Sequence, residues 1–220
     1  MTTRFTKRTG GVSHGAFASL NLGGHVGDER ANVSRNREIA AGPFGAVQYM
    51  NQVHGDRIAI IEQVSDEEPT ADALVTGIPG IALAVMVADC IPLLLKSDEA
   101  VAAVHVGRRG LVNEITRKTI SVMRDMGATQ ITAIMGPAIC GSCYEVSQEL
   151  HDEVVALHPF AKSHTSSGSP ALDLPAALRS VLSDEGIPLL NKFLCTLESD
   201  EYFSYRRDGV TGRQAGFISL

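Results

Sequence analysis

Two apolar runs separated by only three residues constrain the fold of this chain more than any other feature. Residues 81–87 and 91–95 flank Ala88-Asp89-Cys90, and a third run, residues 101–104, ends at His105. Short runs rich in Val and Ile, bounded by polar residues or Gly, are typical of buried strands. The pattern therefore predicts core strands that hold a thiol and an imidazole at their ends.

The rest of the chain alternates helical and strand patterns without a regular strand–helix–strand rhythm. Helices are predicted over residues 29–41, 113–126, 147–158 and 173–185, and strands over 47–50, 57–63, 71–77, 131–135 and the C-terminus. Asp28 and Asp173 are expected to cap the first and last of these helices. Residues 107–110 are expected to form a turn and 164–169 a polar loop. With no internal repeat or linker, residues 1–220 are predicted to form one α+β (mixed α/β) domain.

Composition argues against polymeric and membrane partners. The net charge is −6, with acidic and basic residues interspersed, so a broad nucleic-acid surface is not expected. The longest apolar stretch, residues 81–95, is interrupted by Asp89 and Pro92 and is too short to span a bilayer. The first fifteen residues lack the apolar segment of a secretory signal. A cytoplasmic protein is expected.

His54, Cys90 and His105 each stand at the end of a predicted strand. Two imidazoles and a thiolate suit Zn²⁺, and three protein ligands leave a fourth position open, as in catalytic sites. Their wide spacing matches no local zinc motif, so these residues alone leave open a structural turn histidine at His54. Motifs of nucleotide cofactors are absent, so no nucleotide cofactor is expected.

The other cysteines and the arginine pairs carry weaker signals. Cys140-Gly141-Ser142-Cys143 is a single CxxC without a second pair, which favours a structural role, and Cys195 in its apolar context is interpreted as a core residue. Arg108-Arg109 and Arg206-Arg207 are local basic spots that suit a small anionic ligand better than a polymer.

A set of motifs along nearly the whole chain resembles the laccase-domain family. In order they are GGVS, SLNLGGHVGDE, NQVHGD, ADALVT, ADCIPLLL, AAVHVGRRGL, GPAICGSCYEV and YFSYRRDGVTGRQAGFISL. Members of this family are also called multicopper polyphenol oxidoreductase-like proteins, peptidoglycan-editing factors and purine nucleoside phosphorylases. One departure is visible: Arg108 stands where the family usually has Trp, which affects any stacking role there and leaves the metal ligands unchanged.

The resemblance implies a fold, a metal site and an activity. The fold would be a mixed β-sandwich flanked by helices, similar to the catalytic domain of cytotoxic necrotizing factor. His54, Cys90 and His105 would bind zinc, with copper as a possible substitute. The enzyme would use phosphate to cleave adenosine, inosine and methylthioadenosine, and would also deaminate adenosine by zinc-activated attack of water.

Residues beyond the metal trio are assigned less directly. Arg109 is the first candidate for binding phosphate, followed by Arg37 and Arg213, and Asp89, beside Cys90, is a candidate acid or base. The partners expected are a purine nucleoside and phosphate, and the chain is expected to be a monomer or homodimer.

Three other functions stay open at this point. Cys90 with His105 as its base would make a cysteine hydrolase or amidase, consistent with peptidoglycan precursor editing. A copper polyphenol oxidase is disfavoured, because copper centres of that kind use many histidines and this chain has 7, with no His-x-His pair. A binding module without catalysis is disfavoured by an open metal site beside arginines.

Overall fold

The computed structural model describes residues 1–220 and contains twelve strands and six helices. The strands are β1 Thr2–Phe5, β2 Ala46–Gln48, β3 Ile58–Ile60, β4 Ala73–Thr76, β5 Ile81–Val87, β6 Ile91–Lys96, β7 Val101–Val106, β8 Thr132–Met135, β9 Lys162–His164, β10 Pro170–Leu172, β11 Leu189–Asn191 and β12 Gln214–Ser219. The helices are α1 Arg30–Ala41, α2 Arg108–Val112, α3 Ile115–Asp125, α4 Gln148–Leu157, α5 Leu174–Asp184 and α6 Tyr205–Asp208.

Two mixed sheets form the centre of the molecule. One has four strands in the order β1-β12-β5-β2, and the other has six in the order β11-β8-β6-β7-β4-β3. Strands β5 and β6, adjacent in sequence, belong to different sheets. Residues 88–90 therefore cross from one sheet to the other, and this crossover carries Cys90.

The alternation of side chains along the strands builds a four-layer structure. On β5, Leu83 and Val85 pack with Leu94 of β6 and Ala103 of β7 in the core between the two sheets. The opposite face of β5, with Ala82, Ala84 and Met86, packs beneath α1. The opposite face of β6 and β7 packs against α3 and α5. The mixed α/β class and the β-sandwich flanked by helices are therefore as predicted.

The predicted helices are confirmed within one or two residues. Of the two predicted caps, one is present and the other is not. Asp173 caps α5 as expected, accepting a hydrogen bond from the Ala176 N–H at 2.8 Å. Asp28 does not cap α1, which begins at Arg30 with Glu29 in the cap position. The Asp28 carboxylate instead accepts hydrogen bonds from Ser13, Asn21 and the Glu29 N–H, so it fixes the preceding loop.

Two predicted loops are more regular than expected. Residues after Gly107 begin helix α2 at once, so Arg108 and Arg109 lie in a first helical turn and not in a free turn. Of the predicted loop 164–169, His164 ends β9, and residues 165–169 join β9 to β10 in an antiparallel hairpin. None of the helices is long and apolar enough to cross a membrane.

A buried amide attaches the N-terminal loop to α1. Asn36 is fully buried, and its side-chain oxygen accepts from the Val12 N–H at 2.8 Å. Its amide nitrogen donates to Ser13 Oγ at 2.8 Å and to the carbonyls of Ser19 and Asn21 at 3.1 and 2.9 Å. Together with Asp28, this side chain therefore fixes the loop of residues 12–21.

Replacing this amide is expected to destabilise the protein. Asn36→Ala leaves buried backbone groups without partners, so the free energy of unfolding should fall by about 1–3 kcal/mol. Urea denaturation followed by far-ultraviolet circular dichroism measures this. The matched control is Asn32→Ala, because Asn32 lies one turn earlier on α1, is only partly buried and donates to the exposed Glu29 carboxylate at 3.3 Å. Equal effects of the two substitutions would contradict the role given to Asn36.

Candidate active site

Three separate segments bring the predicted trio together at one end of the sandwich. Cys90 lies on the crossover between the sheets, His105 near the end of β7, and His54 in the loop between β2 and β3. Their ligand atoms all lie within 4.8 Å of one another. The Cys90 Sγ is 3.8 Å from the His54 Nε2, and the two imidazole rings meet edge to face at 4.6 Å.

A buried carboxylate, Asp72, positions both histidines. Its Oδ1 lies 2.8 Å from the Nδ1 of His105, which leaves the Nε2 of that ring available as a ligand. The same carboxylate accepts backbone N–H groups of His54 at 2.9 Å and Gly55 at 2.7 Å. These bonds hold His54 in a left-handed conformation with φ of 58°. A carboxylate that orients a ligating histidine is a regular feature of metal sites.

Sequence reasoning missed Asp72, although its motif ADALVT was noted. The available signal was a carboxylate directly before an apolar strand, where a buried charge needs partners. Those partners come from residues 53–55 and 105, which are distant in sequence. Their proximity arises only when β4 pairs with β7.

Asp89 fixes the crossover between the sheets by accepting hydrogen bonds from distant residues. It has φ of 98°, a conformation that L residues rarely adopt. One carboxylate oxygen accepts from Thr196 Oγ1 and the other from the Arg206 N–H, both at 2.7 Å, while its carbonyl accepts from the Ile139 N–H at 2.9 Å. The carboxylate that was a candidate acid or base thus has a protein donor on each oxygen.

Cys90 and His105 shift each other's protonation. Burial by itself would raise the pKa of the Cys90 thiol, but the charge and hydrogen bond of His105 lower that pKa to about 6. Burial would likewise lower the pKa of His105, while the Cys90 thiolate and Asp72 raise it to about 9. At neutral pH the metal-free pair is therefore a thiolate beside an imidazolium. The thiolate is also the form of cysteine that binds metals.

A glycine keeps the space beside the three donors open. A Cβ built at Gly107 would lie 3.0 Å from the Cys90 Sγ, 3.3 Å from His54 Cδ2 and 3.9 Å from the His105 Nε2. Any larger residue would thus crowd the donors. Two nitrogens and one thiolate, clustered, oriented and unobstructed, fit a zinc ion, and Cu²⁺ accepts the same donors.

A cavity of about 390 Å³ opens beside the trio. Such a volume lies within the range of small-molecule sites. Besides the trio, its walls combine apolar, aromatic and cationic side chains. They are His25, Gln52, Met86, Val87, Ala88, Asp89, Arg108, Arg109, Ile139, Tyr144, Leu174, Tyr205, Arg206 and Arg213.

The candidate arginines separate into two groups. Arg109 and Arg213 line the cavity. Burial lowers the pKa of Arg213, whose guanidinium donates to the carbonyls of Thr211 and Gly212 at 2.9 Å. Arg37 lies outside the lining, paired with Glu68 at 2.5 Å. The structure therefore separates Arg37 from the cavity that holds the trio.

Two further arginines line the cavity, of which only Arg108 was expected near His105 from the sequence. Arg206 donates to the Glu145 carbonyl at 2.7 Å and lies over the Tyr144 ring at 5.1 Å. Arg108, at the position where an aromatic residue was expected, lines the cavity as well. The sequence identified the Arg206-Arg207 pair only as a basic spot, and the two residues have different roles in the structure. Arg207 donates to the carbonyls of Thr196 and Tyr202, inside the C-terminal loops.

Comparisons with known proteins agree on one family. The family model described as multi-copper polyphenol oxidoreductase laccase matches residues 2–220. A Streptomyces coelicolor protein named purine nucleoside phosphorylase is 44% identical, over 98% of this chain and 94% of its own length. A Deinococcus radiodurans protein of the same name is 38% identical, over 98% and 88%. The resemblance seen in the motifs is thereby confirmed.

Solved structures show the same fold. The Neisseria meningitidis protein NMB0706 has a TM-score of 0.91 at 40% identity, covering 99% of this chain and 93% of its own. YlmD from Geobacillus stearothermophilus has a TM-score of 0.89 at 32% identity, covering 99% and 91%.

The Asp72→Asn variant is expected to bind zinc about 10–100-fold more weakly, because an amide removes the charge that holds the His105 ring and the His54 loop. Competition with a chromophoric chelator measures the affinity. Asp56→Asn is the matched control, since Asp56 lies in the same loop region but is exposed and paired with Lys118. Unchanged affinity in Asp72→Asn would show that this carboxylate does not position the site.

Proposed function

Because the chain belongs to the multi-copper polyphenol oxidoreductase laccase family, and relatives matching almost its full length are named purine nucleoside phosphorylases, we propose that it cleaves purine nucleosides with phosphate. Adenosine, inosine and methylthioadenosine are the proposed substrates, and free base and pentose 1-phosphate are the products. Residues 1–220 would act as one catalytic domain. The observation that carries this proposal is the oriented trio of His54, Cys90 and His105 beside a cavity lined with arginines.

The cationic wall suits phosphate. Arg109 and Arg213 are the proposed phosphate ligands, with Arg108 and Arg206 on the same cavity. Guanidinium groups bind phosphate oxygens with paired, directed hydrogen bonds. Holding phosphate beside the sugar makes the attack on the anomeric carbon effectively intramolecular, which lowers its entropic cost.

The remaining wall suits a purine base. Tyr144 and Tyr205 offer aromatic faces, and Ile139, Met86 and Leu174 offer apolar contact. These side chains would replace the stacking that the family's Trp would otherwise supply at position 108. Bond cleavage moves electrons into the base, which leaves after gaining a proton.

The trio fits zinc as the resident ion, with copper as a possible substitute. When bound, such an ion supplies Lewis-acid polarisation and activates water for hydrolytic chemistry. This second capacity supports the proposed deamination of adenosine at the same site. The protein's own part is to orient His105 through Asp72 and to keep Cys90 as a thiolate.

The decisive assay incubates the zinc-loaded protein with inosine and phosphate, and separately with adenosine. Free base and ribose 1-phosphate should appear only with phosphate, and inosine should form from adenosine without it. His54→Ala, Cys90→Ala and His105→Ala should each lower both turnovers by at least about 100-fold, because one ligand is lost. His14→Ala, an exposed loop histidine, is the control. Full turnover in any trio variant would refute the assignment of the site.

A cysteine hydrolase is the second candidate, favoured by the low pKa of Cys90 beside the His105 imidazole. In this alternative the thiolate attacks an amide carbon, and the imidazolium protonates the leaving amine. Water then hydrolyses the resulting thioester, and the substrate class would be amide bonds in peptidoglycan precursors. The two candidates differ in whether the thiolate is free or bound to a metal.

Alkylation of Cys90 separates them. In zinc-loaded protein at neutral pH, Cys90 should resist iodoacetamide. After metal removal it should react, with the rate reaching half its maximum near pH 6 because only the thiolate reacts. Peptide-level mass spectrometry distinguishes Cys90 from the other three cysteines, and Cys90→Ser gives the blank. Equal reactivity with and without zinc would instead favour the hydrolase.

A further inference from the structure

A second cluster of metal-binding side chains lies apart from the trio. It contains Cys140, Cys143, Cys195 and Glu198, whose ligand atoms all lie within 4.8 Å of one another. All three cysteines are free thiols, and none of the four residues lines the cavity. The sequence does not connect the CxxC with Cys195, because Cys140 and Cys195 are 55 positions apart.

The distances from Glu198 to two of the sulfurs are close to those around a single tetrahedral ion, and all four ligand atoms lie within 4.8 Å of one another. The Glu198 Oε1 is 3.5 Å from the Cys143 Sγ and 3.9 Å from the Cys140 Sγ. Zinc with sulfur at about 2.3 Å and oxygen at about 2.0 Å sets the sulfur-to-oxygen edge of its tetrahedron at about 3.5 Å. One ion can therefore contact all four groups with little rearrangement.

Backbone hydrogen bonds hold the sulfurs in place independently of any ion. The Cys140 N–H donates to the Cys195 Sγ at 3.4 Å, as backbone donors do toward thiolate ligands. The N–H groups of Cys143 and Tyr144 both donate to the Cys140 carbonyl at 3.1 Å, which closes the CxxC turn. The Thr196 N–H donates to the Ala138 carbonyl at 3.0 Å, which fixes Cys195 beside that turn.

We propose that Cys140, Cys143, Cys195 and Glu198 bind a structural zinc ion. Four protein ligands close the coordination sphere, which is the mark of structural rather than catalytic zinc sites. Three soft thiolates select zinc over magnesium, calcium and manganese. On binding, each thiol gives its proton to solvent, and no bond to carbon is made or broken.

The proposed zinc ion would be held by segments that also line the active-site cavity. Ile139 and Tyr144 of the cavity wall flank the CxxC, and Tyr205 and Arg206 follow Glu198 on the other tethered segment. Thr196, next to Cys195, donates to Asp89 on the crossover. The second zinc thus clamps together the two segments that hold the crossover and one side of the cavity.

Metal counting tests the proposal. Protein expressed with zinc and purified with a reductant but no chelator should contain two zinc ions per chain by plasma mass spectrometry. Cys143→Ser and Glu198→Gln should reduce the content toward one, and Cys90→Ser should remove the other equivalent. Ser142→Ala is the matched control, since Ser142 contacts the Cys140 sulfur at 3.2 Å but is not among the four ligands.

If a variant of the cluster fails to fold, X-ray absorption at the zinc edge of the Cys90→Ser protein still tests the proposal. The zinc retained by folded Cys90→Ser should show three sulfur neighbours, which the trio cannot provide. Retained zinc with no such sulfur shell, or a Cys90→Ser protein without zinc, would overturn the proposal. A disulfide among the three cysteines in the reductant-free, zinc-supplied protein would also overturn it. None of these results depends on whether the trio catalyses phosphorolysis.

Discussion

The buried hydrogen bond between Asp72 and His105 connects the fold to the candidate chemistry. A carboxylate with no exposed surface is costly to bury unless every lone pair finds a donor. Asp72 finds its donors in the His105 ring and in the backbone of residues 53–55, and its own carbonyl accepts the His105 N–H at 2.8 Å. One side chain therefore fixes the end of β7, the entry of β4 and the loop that carries His54. Stability and site geometry are set by the same contacts.

The crossover between the sheets depends on distant parts of the chain in a similar way. A strand that leaves one sheet and enters the other within three residues forces Asp89 into an unfavourable conformation. Such strain persists only where surrounding contacts over-determine it. Thr196, Arg206 and Ile139 supply those contacts from segments more than forty residues away. The position of Cys90 is thus held by segments from residue 139 onwards as well as by its neighbours in sequence.

This division explains what the sequence could and could not predict. Core strands at 81–87 and 91–95 and the cap at Asp173 follow from local patterning, and the structure contains them. Each member of the trio could be identified as a candidate because it follows an apolar run. The resemblance to the family was needed to predict that the three residues form one site. The roles of Asp72, Arg206 and the Cys195–CxxC cluster depend on contacts between distant segments, and local patterning does not show which residues will meet. Arg37, a weaker candidate for binding phosphate, is paired in the fold with Glu68 outside the cavity lining, a contact that local patterning does not show.

The cavity is rich in positively charged side chains, although the protein as a whole is negatively charged. The protein carries a net charge of −6, yet four arginines line the cavity beside the trio. In a cleft with apolar walls, fixed charges focus the field and attract small counter-ions. The net negative charge would at the same time repel polyanions, which present many phosphates to the whole face of a protein. A small anion such as phosphate avoids that repulsion, because it fits within the cavity, where cations dominate. The proposed preference for phosphate over nucleic acid would therefore follow from the contrast between the charge of the cavity and that of the whole protein.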